Sequence, residues 1–565
     1  MMHSAASIDT LASTAEQVNV ARRLTDMARE RPDALAVVAA RRGRSSRPGK
    51  YDTVTFAQLE EDTNRVASGL RRWGLVPGTR IALLVRPGVD FITLVFALLK
   101  AGAVTVLIDP GMGRKNLIGC LAEAQSEGFI AIPIVHAARS LLRSKFPRAK
   151  YNVTVGRRWF WDGLTLDELR ARGSTESLIH ESRGDDPAAI IFTTGSTGPP
   201  KGVLYRHRNF DCQVTQLQAF YGIKPGEIDL AAFPLFGLFN CALGVTAVIP
   251  DMDPTRPARV DPRKIVEPIH DWHVTQAFGS PALWNRVGQY CQRHNIRLPT
   301  LRRVLSAGAP VPPHVLARMK GSIAGDGDVH TPYGATEALP VASIAASEVL
   351  SETRHAWARG RGTCVGTRFS GIAWKVIAIV DGPLSRLSDV TELATGEIGE
   401  LIVTGDVVTS AYVTRTQSNV LAKISDGARI WHRMGDVGYL DEHERFWFCG
   451  RMAHRVTTAD GVMYTIPCEA IFNQHPAVYR SALVGVGAPG RQRPVIVAEP
   501  WPGKMPWTRA ARRKLIAELA ALARENPLTE RIHDFLLHRS MPVDIRHNAK
   551  IFREKLATWA AGKLR

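Results

Sequence analysis

The apolar run Ala188-Ala189-Ile190-Ile191-Phe192 empties into Thr193-Thr194-Gly195-Ser196-Thr197-Gly198-Pro199-Pro200-Lys201-Gly202. A short apolar run bounded by such a loop reads as a buried strand ending at a sheet edge. Glycines let the loop backbone approach an anion closely. Hydroxyls and amides donate to phosphate oxygens, and Lys201 supplies the charge. The loop reads as a cradle for a polyphosphate rather than a polar surface turn. It is not the Walker form, in which a Ser or Thr follows the lysine and holds magnesium. Here Pro200 precedes the lysine and Gly202 follows it.

The 565 residues exceed what one core accommodates and imply at least two domains. Residues 19–30 and 56–74 read as helices. Residues 34–40 and 51–55 read as a hairpin around a basic loop that carries Arg41, Arg42, Arg44, Arg47 and Lys50. Short apolar strands at 80–85 and 104–108 flank a helix at 90–100. This alternation continues to residue 340 and predicts an α/β architecture with mostly parallel sheets. Residues 366–412 turn strand-rich, with strands at 374–380 and 400–403. Helices are predicted at 510–524 and 551–563.

Residues 1–18 are small, polar and nearly uncharged, so disorder is expected there. They lack the basic start and apolar run of a signal peptide. Seven scattered cysteines without a C-x-x-C pair point to reduced thiols in the cytoplasm, and against a disulfide framework or a zinc site. Two apolar stretches are punctuated, 91–108 by Lys100 and Ala101-Gly102, and 231–250 by Pro234, Gly237, Asn240 and Gly244. They read as core or as the wall of an apolar tunnel rather than membrane spans. The formal charge is +19, and residues 451–565 hold 19 basic against 9 acidic side chains, about half the excess. That balance suits an anionic surface, an acidic partner, a nucleotide or a plain solvated face, and leaves membrane-surface contact open. Nothing in the basic pattern points to nucleic acid.

Further motifs follow in order: Ser306-Ala307-Gly308-Ala309-Pro310, Tyr333-Gly334-Ala335-Thr336-Glu337, Gly435-Asp436 after Met434, and Gly450-Arg451. Pro542 is then followed eight positions on by Lys550, and three further by Arg553. Together with the phosphate loop they resemble the adenylate-forming superfamily of acyl-CoA synthetases, adenylation domains and firefly luciferase. Its members join a carboxylate to AMP using ATP, and the resemblance covers nearly the whole chain. It implies a large N-terminal domain at 19–449, built of several subdomains with mostly parallel sheets and a β-barrel-like part. A small mobile α+β domain would follow at 450–565, hinged near 450–456 at His454.

The resemblance also implies roles. Thr193, Thr194, Gly195, Ser196, Thr197, Gly198 and Lys201 would hold the ATP phosphates. Gly308, Ala309, Pro310, Tyr333 and Gly334 would surround AMP, with Thr336 on the α-phosphate. Glu337 would hold Mg²⁺, a hard cation that rests on one or two carboxylates plus substrate phosphates. Asp436, expected in a strand-edge loop, would accept from the ribose hydroxyls, and Arg451 would approach ribose or phosphate. Lys550 would be the lysine essential for adenylation.

Two departures touch the second half-reaction. The superfamily hinge reads G-R-x-x-D-x-[IV]-K-x-x-G. Here His454 stands for the aspartate and Thr457 for the lysine, with a short insertion before Glu469. Gly237 follows Pro234-Leu235-Phe236, where a histidine or bulky residue is common. The hinge segment normally lines the pantetheine route of CoA. With the run Tyr464-Thr465-Ile466-Pro467-Cys468-Glu469-Ala470-Ile471-Phe472, the chain resembles the β-lactone synthetases of bacterial long-chain olefin biosynthesis. That implies a hydroxylated long-chain substrate, a 2-alkyl-3-hydroxy fatty acid, whose own β-hydroxyl attacks the adenylate. It also implies thiolase-like, reductase and lactone-decarboxylase partners in one pathway. Phe236, Phe239, Phe278 and Gly279 are candidate walls for the alkyl tails. His207 and His454 are read as structural rather than as bases. An AMP-forming fatty acyl-CoA synthetase is the alternative. A non-catalytic basic nucleotide-binding scaffold is a further one, against which Lys550 argues because binding alone does not need it.

Overall fold

The computed structural model describes residues 17–41, 50–193, 198–544 and 551–564. Residues 1–16, Arg42, Arg44, Arg47, Thr194, Gly195, Ser196, Thr197 and Lys550 lie outside the described residues, as does the side chain of Phe236.

Two large sheets form the body. The first has seven strands in the order Leu164–Thr165, Tyr151–Thr154, Gly128–Ala131, Arg80–Leu84, Val104–Leu107, Pro187–Phe192 and Gly202–Arg206. All pairs are parallel except the last. Helix Phe56–Arg72 starts on a capping box: Thr55 Oγ1 accepts from Gln58 N–H, and the Gln58 side chain accepts from Thr55 N–H. Helix Val89–Lys100 is buried along nearly its whole length. Its one cation, Lys100, is buried too, with Nζ 2.7 Å from both Glu60 Oε1 and Asn64 Oδ1. Burial pushes the Lys100 ammonium down to about 8, with Glu60 opposing. Among the described residues no helix is long and apolar enough to cross a membrane.

The second sheet has nine strands. Its order is Thr367–Arg368, Ala338–Ala345, Asp328–Ala335, Arg303–Ser306, Gln276–Gly279, Ile228–Ala231, Thr246–Ile249, Leu35–Ala40 and Tyr51–Thr55. The strands from Asp328–Ala335 to Leu35–Ala40 pair in parallel, and the edges are antiparallel. The apolar stretch 231–250 resolves into helix Pro234–Ala242 and strand Thr246–Ile249. A third, antiparallel sheet joins Thr363–Cys364, Phe446–Arg451, Arg429–Leu440, Gly399–Thr404 and Ala373–Ile377, with Lys423–Asp426 on Arg429–Leu440.

Beyond residue 456 a compact α+β unit has its own core. Strands Val478–Val486, Arg493–Pro500 and Asp534–Leu537 pack one face against helices Thr465–Phe472 and Arg509–Arg524 through Phe472, Leu483, Ile496 and Leu519. The other face meets helix Arg553–Lys563 through Val484, Val495 and Leu556. The observed class is the expected one, α/β with mostly parallel sheets and a smaller α+β unit.

One local expectation fails. Asp436 is not in a loop; it lies inside strand Arg429–Leu440 and is 3% exposed. Gly-Asp is a turn signal, but strands on both sides claim this segment, and Gly435 takes up the irregularity at φ +64°.

Candidate active site

Strand direction assembles the site. The parallel strands Gln276–Gly279, Arg303–Ser306 and Asp328–Ala335 deliver Gly279, the Ser306–Pro310 segment and Tyr333 to one edge of the nine-stranded sheet. Ala307 N–H donates to Gly279 O at 3.3 Å. A Cβ at Gly279 would lie 2.7 Å from Leu283 Cδ2 and 3.0 Å from Trp284 Cε2. The glycine therefore lets helix Pro281–His294 start hard against its strand.

In the seven-stranded sheet the phosphate loop is closed at its base. Thr193 N–H donates to Lys201 O at 3.0 Å, and Lys201 N–H returns to Thr193 Oγ1 at 3.2 Å. The chain around Tyr412 then pairs with strand Gly202–Arg206, through a Val203–Tyr412 bridge and Gly202 N–H on Thr414 Oγ1 at 2.8 Å. That pairing brings a residue more than two hundred positions away beside Lys201.

Thr336-Glu337 is the turn between strands Asp328–Ala335 and Ala338–Ala345. A Cβ at Gly334 would stand 2.6 Å from Ala338 O, so the closure needs glycine. The turn is clamped. Tyr205 Oη donates to Thr336 O at 2.6 Å, and Thr409 donates to Glu337 O through N–H at 2.9 Å and Oγ1 at 3.0 Å. Tyr412 Oη donates to Glu337 Oε1 at 2.6 Å. Lys201 Nζ sits 4.2 Å from the centre of the Tyr412 ring, a cation–π contact. Lys423 Nζ lies 5.9 Å from the same ring and donates to Thr409 O. Desolvation lowers the Lys201 ammonium, and Glu337 opposes it. Desolvation also pushes Lys423 down to about 7, with Glu337 opposing and Lys201 adding. Tyr412 and Lys423 escape the sequence reading because neither stands in a motif; tertiary pairing alone brings them here.

A second cluster adjoins it. Asp436 and Arg451 face each other across paired strands. Arg451 Nε is 3.0 Å from Asp436 Oδ1, and its Nη1 donates to Met434 O at 3.0 Å. Tyr333 Oη donates to Asp436 Oδ2 at 2.5 Å. Asp436 raises the Arg451 pKa most, with Tyr333, Glu337 and Tyr412 contributing. Glu337 and Tyr412 of the first cluster both act on Arg451, so the two clusters are neighbours.

The candidate walls divide. Phe278 is buried on the strand that ends at Gly279, its ring 6.4 Å from that of Phe233. Phe239, on helix Pro234–Ala242, stands 6.4 Å from Phe210, which stacks at 4.9 Å on Tyr205, the residue that clamps Thr336. A side chain at Gly237 would face Ile92 at 3.4 Å, within the core.

Both histidine rings already have a partner in the fold. His207 Nδ1 accepts from Val20 N–H at 3.4 Å, and burial pushes it down to about 4. His454 Nε2 is 3.1 Å from Glu554 Oε1; burial lowers it to about 4, with Arg553 adding to the shift. His207→Gln and His454→Gln are expected to keep adenylation and product formation within about tenfold of native, below the hundredfold or more that a general base supplies. Product analysis beside pyrophosphate release checks this. Loss of the final product with the adenylate still forming would mark the altered histidine as a base.

Around the hinge, Thr457 is tied into the small unit. Its N–H donates to Gln492 Oε1 at 2.8 Å, and its Oγ1 accepts from Gly490 N–H at 2.8 Å. Glu469 accepts from Leu483 N–H at 2.9 Å and from Arg553 Nη2 at 2.5 Å. Phe552 N–H donates to Pro542 O at 2.9 Å, bracketing the stretch that contains Lys550.

Glu337 offers a hard oxygen donor suited to Mg²⁺. Among the described residues no group of three His, Cys, Asp or Glu could hold a metal. A lone carboxylate fits an ion that arrives with nucleotide phosphates and keeps several waters.

The AMP-binding enzyme family matches residues 24–413. The chain is 47% identical over 550 residues to an olefin beta-lactone synthetase of Xanthomonas campestris pv. campestris, covering 96% of this chain and 97% of that one. It is 48% identical over 554 residues to an olefin beta-lactone synthetase of Stenotrophomonas maltophilia, covering 97% and 98%. A long-chain-fatty-acid–CoA ligase, FadD13 of Mycobacterium tuberculosis, is 25% identical over 445 residues, 77% of this chain and 80% of that one. Among solved structures, the amide bond synthetase McbA from Marinactinospora thermotolerans shares the fold with a TM-score of 0.78 at 22% identity, covering 96% of this chain and all of that one. The chain therefore belongs to the AMP-binding enzyme family and, within it, to that of the olefin beta-lactone synthetases.

Proposed function

We propose that this protein is an ATP-dependent, AMP-forming ligase that converts a long-chain 2-alkyl-3-hydroxy fatty acid into a β-lactone. The observation that carries the reading is similarity at 47–48% identity, along nearly the full length, to two olefin beta-lactone synthetases.

In the first step a carboxylate oxygen attacks the α-phosphorus of ATP. Pyrophosphate leaves, and the carboxyl carbon acquires AMP as a leaving group. Charge accumulates on phosphate oxygens, so donors and cations fixed beforehand lower the barrier. Lys201 and the loop that opens at Thr193 fill that role on the phosphates, with Thr336 beside the α-phosphate. Asp436 and Arg451 orient the ribose, and the segment Gly308-Ala309-Pro310 with Tyr333 and Gly334 receives AMP. Mg²⁺ on Glu337 would neutralise phosphate charge when bound. Lys550, from the small domain at 450–565, closes over the site from beyond the hinge.

In the second step the β-hydroxyl oxygen of the same molecule attacks the activated carbonyl carbon. The carbonyl carbon–phosphate oxygen bond breaks, AMP leaves with the electron pair, and the hydroxyl proton passes to solvent. Nucleophile and electrophile share one chain, so placing them together supplies much of the acceleration. The tie of Thr457 to Gly490 and Gln492 supports the reading, because it commits the position of the superfamily hinge lysine to the small unit.

A synthetic 2-alkyl-3-hydroxy acid, incubated with ATP and Mg²⁺ with and without CoA, tests the proposal by mass spectrometry. The expected product is the acid less one water, with one AMP and one pyrophosphate, unchanged by CoA. A thioester formed only with CoA would replace the second step by that of an acyl-CoA synthetase. Absence of pyrophosphate from every hydroxylated acid tried would end the proposal.

A further inference from the structure

A surface distant in sequence from every motif exposes large apolar side chains. Ile134 is 62% exposed, Leu141 82%, Trp159 53% and Phe160 71%. Ile134, Ala138 and Leu141 are spaced i, i+4, i+7 on helix Pro133–Leu141, and all three are exposed, so one stripe of that helix faces outward.

Trp159 and Phe160 flank a buried anchor. Trp161 Nε1–H donates to Thr154 Oγ1 at 2.8 Å, and its ring stacks 5.6 Å from His136 of the same helix. Trp159 and Phe160 lie 5.4 and 5.2 Å from Trp161. The loop is therefore fastened to the helix, with its two outer rings held toward solvent. Residues 133–163 carry seven basic side chains, Arg139, Arg143, Lys145, Arg148, Lys150, Arg157 and Arg158, against one acid, Asp162. Of the seven, Arg158 pairs with Glu168 at 3.1 Å, while Arg143, Lys145, Arg148, Lys150 and Arg157 are exposed.

The topology fixes where the aromatic loop and the start of the helix lie. The helix leaves the end of strand Gly128–Ala131, and the aromatic loop leaves the end of Tyr151–Thr154. Both strands run parallel to Pro187–Phe192, whose end opens the phosphate loop. All three exits share one edge of the sheet. Tyr151–Thr154 and Pro187–Phe192 are four strand spacings apart, roughly 19 Å.

We propose that this face seats on an anionic lipid bilayer. Trp159, Phe160, Ile134 and Leu141 enter the headgroup region, and exposed Arg157 beside the rings in sequence, with Arg143 and Lys145 just past the helix end, meets anionic headgroups. Aromatic and aliphatic side chains flanked in sequence by Lys and Arg have the composition of interfacial elements. Each basic residue near such a surface adds to the attraction. The centre of a protein–protein contact is depleted of charge instead. Seating brings the exit of the aromatic loop to the membrane, on the sheet edge from which the phosphate loop also leaves. The proposal stands whichever second half-reaction the enzyme performs.

Co-sedimentation of the full chain with lipid vesicles tests it. Native protein is expected on vesicles of equal phosphatidylglycerol and phosphatidylcholine at about 0.1 M salt, and at least about tenfold less on pure phosphatidylcholine or at about 0.5 M salt. The double variant Trp159→Ser/Phe160→Ser should lose about tenfold in partition, while pyrophosphate exchange with a short, water-soluble hydroxy acid stays at the native rate. Ile134→Ser/Leu141→Ser gives the same readout from the helix side if the loop variant fails to fold. Native protein that ignores anionic vesicles overturns the proposal, as does binding equal in native and both variants. Self-association in sedimentation velocity that these variants abolish, with no vesicle binding, would assign the face to a protein contact and also overturn it.

Discussion

Glu337→Gln is expected to slow ATP–pyrophosphate exchange by about 10²–10³-fold, the cost of removing one preorganised electrostatic group from a reacting centre. Lys201, Lys423 and Arg451 all feel the Glu337 carboxylate, and Arg451 is paired with Asp436 as well. Glutamine keeps the shape and an oxygen to accept from Tyr412, so the turn held by Tyr205 and Thr409 stays in place. What disappears is the charge that opposes the desolvation of Lys201 and Lys423 and the oxygen that Mg²⁺ would take. Exchange at saturating ATP across a magnesium titration checks this. A rate within about threefold of native would remove Glu337 from the reaction, since even general acid–base groups contribute more.

Arg433→Met is expected to destabilise the large domain by about 3–5 kcal/mol, the range for breaking a buried pair from one side. Arg433 Nη2 lies 2.6 Å from Glu400 Oε2, with side-chain exposures of 3% and 1%. The guanidinium also donates to Gly382 O at 2.7 Å and Val380 O at 2.6 Å. Burial pushes the Glu400 carboxyl up while Arg433 holds it down. Methionine would leave a buried carboxylate and two carbonyls without their donor. A chain of several domains does not unfold in one step, so hydrogen exchange along strands Gly399–Thr404 and Arg429–Leu440 is the informative measurement. Arg433→Met/Glu400→Leu should recover much of the loss, because replacing both partners of a buried pair with apolar residues is often neutral. Asp436 lies three positions along the same strand, so adenylation should fall with stability in the single variant.

Much of the architecture is legible in the letters. The run into Thr193, the strand–helix alternation from residue 80 and the order of the motifs each reflect local physics: apolar period, turn chemistry and spacing. Strands Leu35–Ala40 and Tyr51–Thr55 are neighbours in sequence and in the sheet, so their pairing is visible. The other partner of Leu35–Ala40, strand Thr246–Ile249, is not, because nothing local encodes a contact across two hundred residues. The same holds for Tyr412 beside Lys201. Asp436 was misread because a local turn signal lost to pairing on both sides. Lys100, read as a break in an apolar stretch, is instead folded inside with Glu60 and Asn64. Arg157-Arg158-Trp159-Phe160-Trp161 shows the opposite failure. Three adjacent aromatic rings look alike in sequence, and only the fold separates the buried one from the two left outside.

The stretch between the large body and the small unit is gripped from both sides in alternation. His454 meets Glu554 of the last helix, while the very next residue, Arg455, reaches back to Asp381 with its Nη2 2.5 Å from both carboxylate oxygens. Val456–Thr458 then belongs to the small unit again. Arg455 therefore clasps this junction to the large body between two residues held by the small unit. Asp381 is exposed to water, and dissolved salt weakens such a clasp, so ionic strength acts on this junction without contact with the nucleotide.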